Sequence, residues 1–235
     1  PDYEQASDLA DQMALDHPNN TIAIRFQSLS AEVLADVLLE LEQWEDALRF
    51  AQKSLEISRT LAEQDPADGQ AERDVLIGHL KVAKVHLRKE DDAACLACLE
   101  RALPIAYSRH EKQPESRQAI GDYVAVLLRK GEVYLRLEDA PAAIVELMAA
   151  LALVETIPES ARQDARSRRE WVNANTLLGR AQSLNGQSQL ARVSLEEARR
   201  VAQTMIDEDM RAEQMRSDLA EIDQLLSAIP NDQQL

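Results

Sequence analysis

Apolar residues recur every three or four positions along most of the chain, and polar residues occupy the positions between them. In the segment 121–157, Val124, Leu127 and Leu128 lie on one helical face before a break at 138–140, and the same spacing resumes after the break. This pattern is typical of two amphipathic helices joined by a short turn. We therefore interpret the segment as a helical hairpin.

The hairpin pattern returns every 48 residues. A small residue opens each second helix, and another small residue recurs within each first helix. The second-helix series is Ala47, Cys95, Ala143 and Ala191, and the first-helix series is Ala35, Ala83, Gly131 and Gly179. Repeats of this kind bury their apolar faces by stacking on one another. Small residues at these positions predict close contact between the two helices of each hairpin.

The alternation of small and large residues resembles that of the tetratricopeptide repeat family. The best match is LLRKGEVYLRLEDAPAAIVELMAAL, residues 127–151, and the next is residues 181–202. The usual repeat of that family has about 34 residues, and its closing proline is replaced here by Arg59, Tyr107, Glu155 and Gln203. The additional length is close to four helical turns, so the helices lengthen without losing phase. In this respect the chain looks like the long repeats of bacterial signalling proteins.

An all-α fold is predicted by composition, because aromatic content is only 3% and Gly and Pro number 6 and 8. The resemblance implies a right-handed α-solenoid of tetratricopeptide-like helix–turn–helix repeats with a C-terminal capping helix. We expect one solenoid domain over 1–235, made of a remnant second helix at 1–18, repeats at 19–66, 67–114, 115–158 and 159–208, a capping helix at 209–228 and a tail at 229–235. The predicted helices are 2–16, 19–41, 44–64, 67–89, 91–112, 115–137, 140–156, 159–184, 188–207 and 209–228.

The formal net charge of −16 argues against partners such as nucleic acids or anionic membranes, which require excess Lys and Arg. The charge is uneven, since residues 1–66 hold 14 acidic and 4 basic residues, whereas 67–114 hold 8 of each. No apolar run has the length of a bilayer span, and the first residues do not have the pattern of a signal peptide, so we expect neither feature in this sequence. Cys95 and Cys98 are poorly spaced for a disulfide, which favours a reducing compartment, and we expect a cytoplasmic protein.

A row of mainly polar residues on the first helices is the candidate binding surface. The resemblance implies that these helices line a concave face that holds a protein ligand. The expected binding residues are Arg73, Leu80, Lys84, Arg88, Leu128, Glu132, Arg136, Arg169, Asn173 and Arg180. Arg pairs two donors with a planar carboxylate, so an acidic extended or helical peptide would suit this row. The alternative is that these residues are ordinary solvated helix charges.

Residues capable of metal binding or catalysis give a weaker pattern. His79, His86, Cys95 and Cys98 together form a legitimate zinc ligand set, but packing between helices is the favoured interpretation. No phosphate-binding loop, nucleophile elbow or metalloprotease motif is present in the sequence. We therefore expect no catalytic residue, no metal and no cofactor.

The sequence thus predicts a protein–protein interaction scaffold without enzymatic activity. Because the first residue is Pro1 rather than Met, and because it precedes what looks like the middle of a helix, we expect a fragment of a larger bacterial signalling protein. One alternative is a regulatory or oligomerisation segment of a multidomain enzyme, such as a protein kinase, whose catalytic domain precedes residue 1. Another is self-association through the truncated end or the final helix.

Overall fold

The computed structural model describes residues 2–158, 164–208 and 213–229, and these residues form α-helices joined by short turns. The helices are α1 (Asp2–Asp16), α2 (Thr21–Glu40), α3 (Trp44–Gln64), α4 (Gly69–Arg88), α5 (Asp92–Lys112), α6 (Arg117–Arg136), α7 (Ala140–Thr156), α8 (Ala165–Leu184), α9 (Ser188–Glu208) and α10 (Glu213–Ala228). The described ranges contain no strand. The predicted all-α fold is confirmed.

Polar caps set the start of each first helix. The capping residues are Asn20, Asp68, Ser116 and Asp164, which lie 48 residues apart. Each side chain accepts a hydrogen bond from a first-turn backbone amide, which has no partner within the helix itself. Helices α2, α4 and α6 therefore begin two residues later than the periodicity predicts. The structure describes α8 from Ala165, with Asp164 as its cap; the predicted starts of α8 at residue 159 and of α10 at residue 209 lie outside the described residues.

Two of these caps also hold the preceding first helix. Asp68, at the start of α4, forms an ion pair with Arg25 of α2, and Asp164, at the start of α8, forms one with Arg117 of α6. The Arg25 Nε atom also lies 3.6 Å from Asp74 Oδ2. One carboxylate thus serves both helix initiation and the contact between consecutive first helices.

Each hairpin turns through a residue in the left-handed backbone region. These residues are Glu42, Glu90, Glu138 and Gly186, with φ between 58° and 75°. In the third hairpin the Asp139 amide donates to the Tyr134 carbonyl at 2.9 Å, which is the closing hydrogen bond of a Schellman motif. Three of the four turns use Glu, for which this conformation costs about 1 kcal/mol or more.

The helices group into two compact units, residues 1–106 and 107–235, and α5 contributes to both. In the first unit α1 packs on α2, α2 on α3 and α3 on α4, while in the second α6 to α10 pack on one another in chain order. Consecutive first helices also touch, α2 with α4 and α6 with α8. The predicted repeat boundaries within a single domain stay a prediction.

Close contact within the hairpins rests on small residues facing large ones. Leu147 and Leu195 of the second helices are buried. A Cβ atom at Gly131 would lie 2.6 Å from Leu147 Cγ, and one at Gly179 would lie 2.5 Å from Leu195 Cγ. Such distances leave no room for a side chain, so glycine is required where these two leucines pack.

The final helix, α10, covers the apolar end of the second unit. Met215 and Ile222 are buried in a cluster with Val172 and Leu195, and Leu219 packs partly against it. The remaining face of α10 is mainly exposed. The capping helix expected from the sequence is therefore present in the fold.

Replacing Gly131 with Leu tests the close contact with Leu147. We expect the substitution to lower the free energy of unfolding by about 1–3 kcal/mol, because the larger side chain overpacks the hairpin. The measurement is urea denaturation followed by circular dichroism. Gly69→Leu is the matched control, since Gly69 begins α4 and a Cβ there meets no atom within 4 Å. Equal stability of the two variants would contradict the assigned contact.

The left-handed turn residues give a pair of opposite stability changes. Glu138→Gly should raise the free energy of unfolding by about 0.5–1 kcal/mol, because glycine adopts the backbone conformation without steric cost, although it adds entropy to the unfolded chain. Gly186→Ala should lower the free energy by about 1 kcal/mol for the converse reason. Chemical denaturation of both variants measures the signs, and two changes of the same sign would argue against these turn conformations.

Candidate partner-binding groove

In the first unit, the predicted binding residue Lys84 is already paired within the protein. Its Nζ lies 3.0 Å from Asp36 Oδ1 on α2, and Lys81 forms a second ion pair with the same carboxylate. Burial raises the pKa of Asp36, but hydrogen bonds and charge from the two ammonium groups outweigh burial and hold the pKa below its usual value. Lys84 therefore links α4 to α2. In the unbound protein, the Asp36 carboxylate already neutralises much of the Lys84 charge.

The other predicted residues of the first unit differ in exposure. Arg73 and Leu80 are half-buried along α4, and Arg88 is exposed at its end. Glu32, which precedes Leu80 by one repeat, is half-buried and accepts a hydrogen bond from Ser54 at 3.1 Å. Burial raises the pKa of Glu32 above its usual value. Four of the predicted binding residues lie on α4. Of these, Arg88 is the most accessible, because Arg73, Leu80 and Lys84 are half-buried.

In the second unit, a groove of about 370 Å³ lies between α6, α8 and α10. It brings together three of the predicted residues, Leu128, Arg169 and Asn173. Leu128 is buried at its floor, whereas Arg169 and Asn173 are exposed. A fourth predicted residue, Arg180, reaches across to α10, where its Nη1 lies 3.8 Å from Glu221 Oε1. The expected binding row is thus most concentrated here.

The groove has an apolar floor and walls of mixed charge. The remaining lining residues are Glu170, Val172, Thr176, Gln214, Met215, Asp218 and Glu221. Three carboxylates therefore accompany the exposed Arg169. Burial raises the pKa of Glu170, and the Arg166 Nε atom opposes this by donating to Glu170 Oε1 at 2.8 Å. The net charge of the groove lining is therefore less positive than the row of predicted residues suggests.

Two predicted residues of α6 stand apart from this groove. Glu132 is half-buried, and its Oε2 lies 3.7 Å from Arg129 Nη1. Arg136 is exposed at the end of the helix. Neither belongs to the described lining of the groove. Asp218 and Glu221 line the groove but were not predicted from the sequence. The apolar spacing along α10 predicts which face of the helix is buried, but it does not predict which helix the polar face contacts.

The possible metal ligands are not assembled into a site. In the ranges that the structure describes, no three His, Cys, Asp or Glu side chains come together as metal ligands. Cys95 and Cys98 are buried thiols that form no disulfide. His79 is also buried, and its Nε2 lies 3.3 Å from Arg59 Nη2.

Among the described helices, none combines the length and hydropathy of a membrane span.

Comparison with known proteins shows a similarity of fold. No protein-family model and no curated protein matches the chain. BtubC (BKLC) from P. vanneervenii is 16% identical with a TM-score of 0.66, and the match covers 96% of this chain and 86% of BtubC. Hif1, a yeast histone chaperone described as a scaffold protein recruiting protein complexes to core histones, is 14% identical with a TM-score of 0.58, over 90% and 98% of the two chains. A thermophilic TPR protein of Thermus thermophilus, TTC0263, is 18% identical with a TM-score of 0.45, over 94% and 90%.

At these identities the first two similarities concern the fold alone. They agree with the hairpins of two helices that recur along the described chain. The two solved structures therefore share the fold of helical hairpins that was predicted from the sequence.

Asp36→Asn tests whether the carboxylate joins α2 to α4. Because the pKa of Asp36 is lowered on folding, its contribution to stability is present above its usual value of 3.8 and is lost as the pH falls through the lower folded value. We expect the variant to be less stable than the parent at about pH 7, and the difference to shrink toward about pH 3. Urea midpoints across this range measure the effect. Asp46→Asn is the control, since Asp46 is exposed and pairs with Arg49 of the same helix; an identical pH response of both variants would argue against the tie.

Proposed function

We propose that this chain is a protein-interaction scaffold that binds a peptide or partner domain on its first helices, with the groove between α6, α8 and α10 as its principal contact site. The observation that supports this most directly is the groove's composition. Leu128, Val172 and Met215 supply an apolar floor, and exposed Arg169 and Asn173 supply polar contacts beside it. Recognition grooves for peptides combine apolar pockets with a few polar groups in this way.

The charges around the groove indicate the chemistry of its partner. Arg169 offers paired donors to a carboxylate, which accords with the acidic partner expected from the sequence. Asp218 and Glu221 on the α10 wall attract a Lys or Arg side chain. A segment that carries an acidic residue, an apolar anchor and a basic residue therefore complements the groove. Arg73, Leu80, Lys84, Arg88, Glu132 and Arg136 form the remainder of the proposed binding row.

The similarity of fold supports the class of function. Hif1, which has the same helical-repeat fold, is described as a scaffold protein that recruits protein complexes. We further propose that the chain acts within a larger bacterial signalling protein in the cytoplasm. The resemblance to long signalling repeats supports a role in a signalling protein. The two buried thiols, which form no disulfide, suit a reducing compartment such as the cytoplasm.

Partner binding should depend on Arg169. Native partners are first captured from lysate and identified by mass spectrometry, and the dissociation constant of a purified partner is then measured by calorimetry. We expect Arg169→Glu to weaken binding by about tenfold or more, because it places a fourth carboxylate in the groove and removes its exposed guanidinium. Asn173→Trp should weaken binding similarly by filling the groove.

The matched control is Arg49→Glu, which makes the same charge change at an exposed residue of α3. This variant should bind within about twofold of the parent. All variants are checked for unchanged helicity and melting temperature. A partner that binds Arg169→Glu and Asn173→Trp as tightly as the parent would show that the groove is not the binding site.

A further inference from the structure

A second groove, separate from the proposed partner site, lies in the first unit between α3, α4 and α5. It has a volume of about 400 Å³. Apolar atoms come from Leu55, Val82, Ala94 and Ala97, and the polar or ionisable lining residues are Gln52, Glu56, Arg59, His79, His86, Cys98 and Arg101. The volume falls within the range of small-molecule sites, and most of the lining residues are polar or ionisable.

The floor of this groove holds an imidazole with one unused donor. His79 is only 3% exposed. Its Nε2 lies 3.3 Å from Arg59 Nη2, and a guanidinium can only donate, so Nε2 is the acceptor and the ring proton lies on Nδ1. The Nδ1 atom is buried, and no described residue accepts from it. A buried donor without a partner is costly, so this N–H points to an acceptor that the protein itself does not supply.

Two guanidinium groups make the surroundings of His79 positive. Arg59 lies on α3 and Arg101 on α5, and both line the groove. Arg101 is exposed and forms no ion pair with any described residue. Burial lowers the pKa of His79 to about 4, and the charges of Arg59 and Arg101 act in the same direction. A negative group placed among these three side chains would meet three donors.

Nearby carboxylates lie toward the edges of the groove. Glu56 Oε2 is 3.8 Å from Arg59 Nη1, and this carboxylate is 75% exposed. Asp91 Oδ2 is 3.4 Å from His86 Nδ1 and is half exposed. Burial raises the pKa of the Cys98 thiol, so this side chain adds no negative charge at neutral pH. The position between Arg59, His79 and Arg101 is therefore the favourable one for an anion.

We propose that this groove binds the oxyanion group, phosphate or carboxylate, of a small-molecule ligand. Arg59 and Arg101 hold the oxygen atoms from two sides, and His79 donates its Nδ1–H from the floor. Leu55, Val82 and Ala97 contact the apolar part of the ligand. The local arrangement of donors permits anion binding within a chain whose net charge is −16.

The test uses three probes at constant ionic strength: inorganic phosphate, phenyl phosphate and benzoate. Calorimetry on the parent chain should give saturable binding of at least one probe. Nitrogen-detected NMR of His79 should show the proton on Nδ1 and a shift of that resonance as the probe is added. Tighter binding of phenyl phosphate than of inorganic phosphate supports an organic phosphate, whereas binding of benzoate alone supports a carboxylate.

Arg101→Gln should weaken the bound probe by about tenfold or more, and because Arg101 is exposed, the fold should be unaffected. Arg49→Gln removes the same charge from an exposed position whose partner is Asp46, and it should leave the affinity unchanged. Lack of saturable binding by all three probes would overturn the proposal. So would an unchanged His79 resonance, or an equal loss of affinity in the two variants.

Discussion

Close contact between the two helices of a hairpin is the constraint on which the remaining structure depends. Leu147 and Leu195 reach the facing helix only because Gly131 and Gly179 present no side chain there. This contact sets the distance and rotation of each first helix against its second. The groove-lining faces of α6 and α8, which carry the buried Leu128 and the exposed Arg169, are oriented as a result.

Much of the fold is predictable from sequence because its determinants are local or periodic. The helices follow from apolar spacing, and the hairpin contacts follow from small residues that recur every 48 positions. The capping helix follows from Met215 and Ile222, which lie seven residues apart on one face. Even the N-caps carry a signal, since Asp68 and Ser116 each come two residues after a recurring proline.

The candidate sites were less predictable because they depend on which side chains meet across helices. Lys84 was expected to face a partner, but Asp36 lies one repeat earlier and pairs with it. Spacing alone does not show that α10 brings Asp218 and Glu221 to the first-helix groove. His79 could be assigned to the packed interior from the sequence, yet its unused Nδ1–H depends on the position of Arg59. The distance between side chains on different helices is the missing quantity in each case.

The double role of Asp68 has a consequence for the mechanics of the array. Its carboxylate starts α4 and also holds Arg25 of α2, and Asp164 does the same for α8 and α6. If the first turn of α4 unfolds, the Asp68 carboxylate loses its fixed position, and its ion pair with Arg25 of α2 weakens as a result. Within each unit, local opening is thereby coupled to the neighbouring repeat, so a pulling force would detach the hairpins cooperatively.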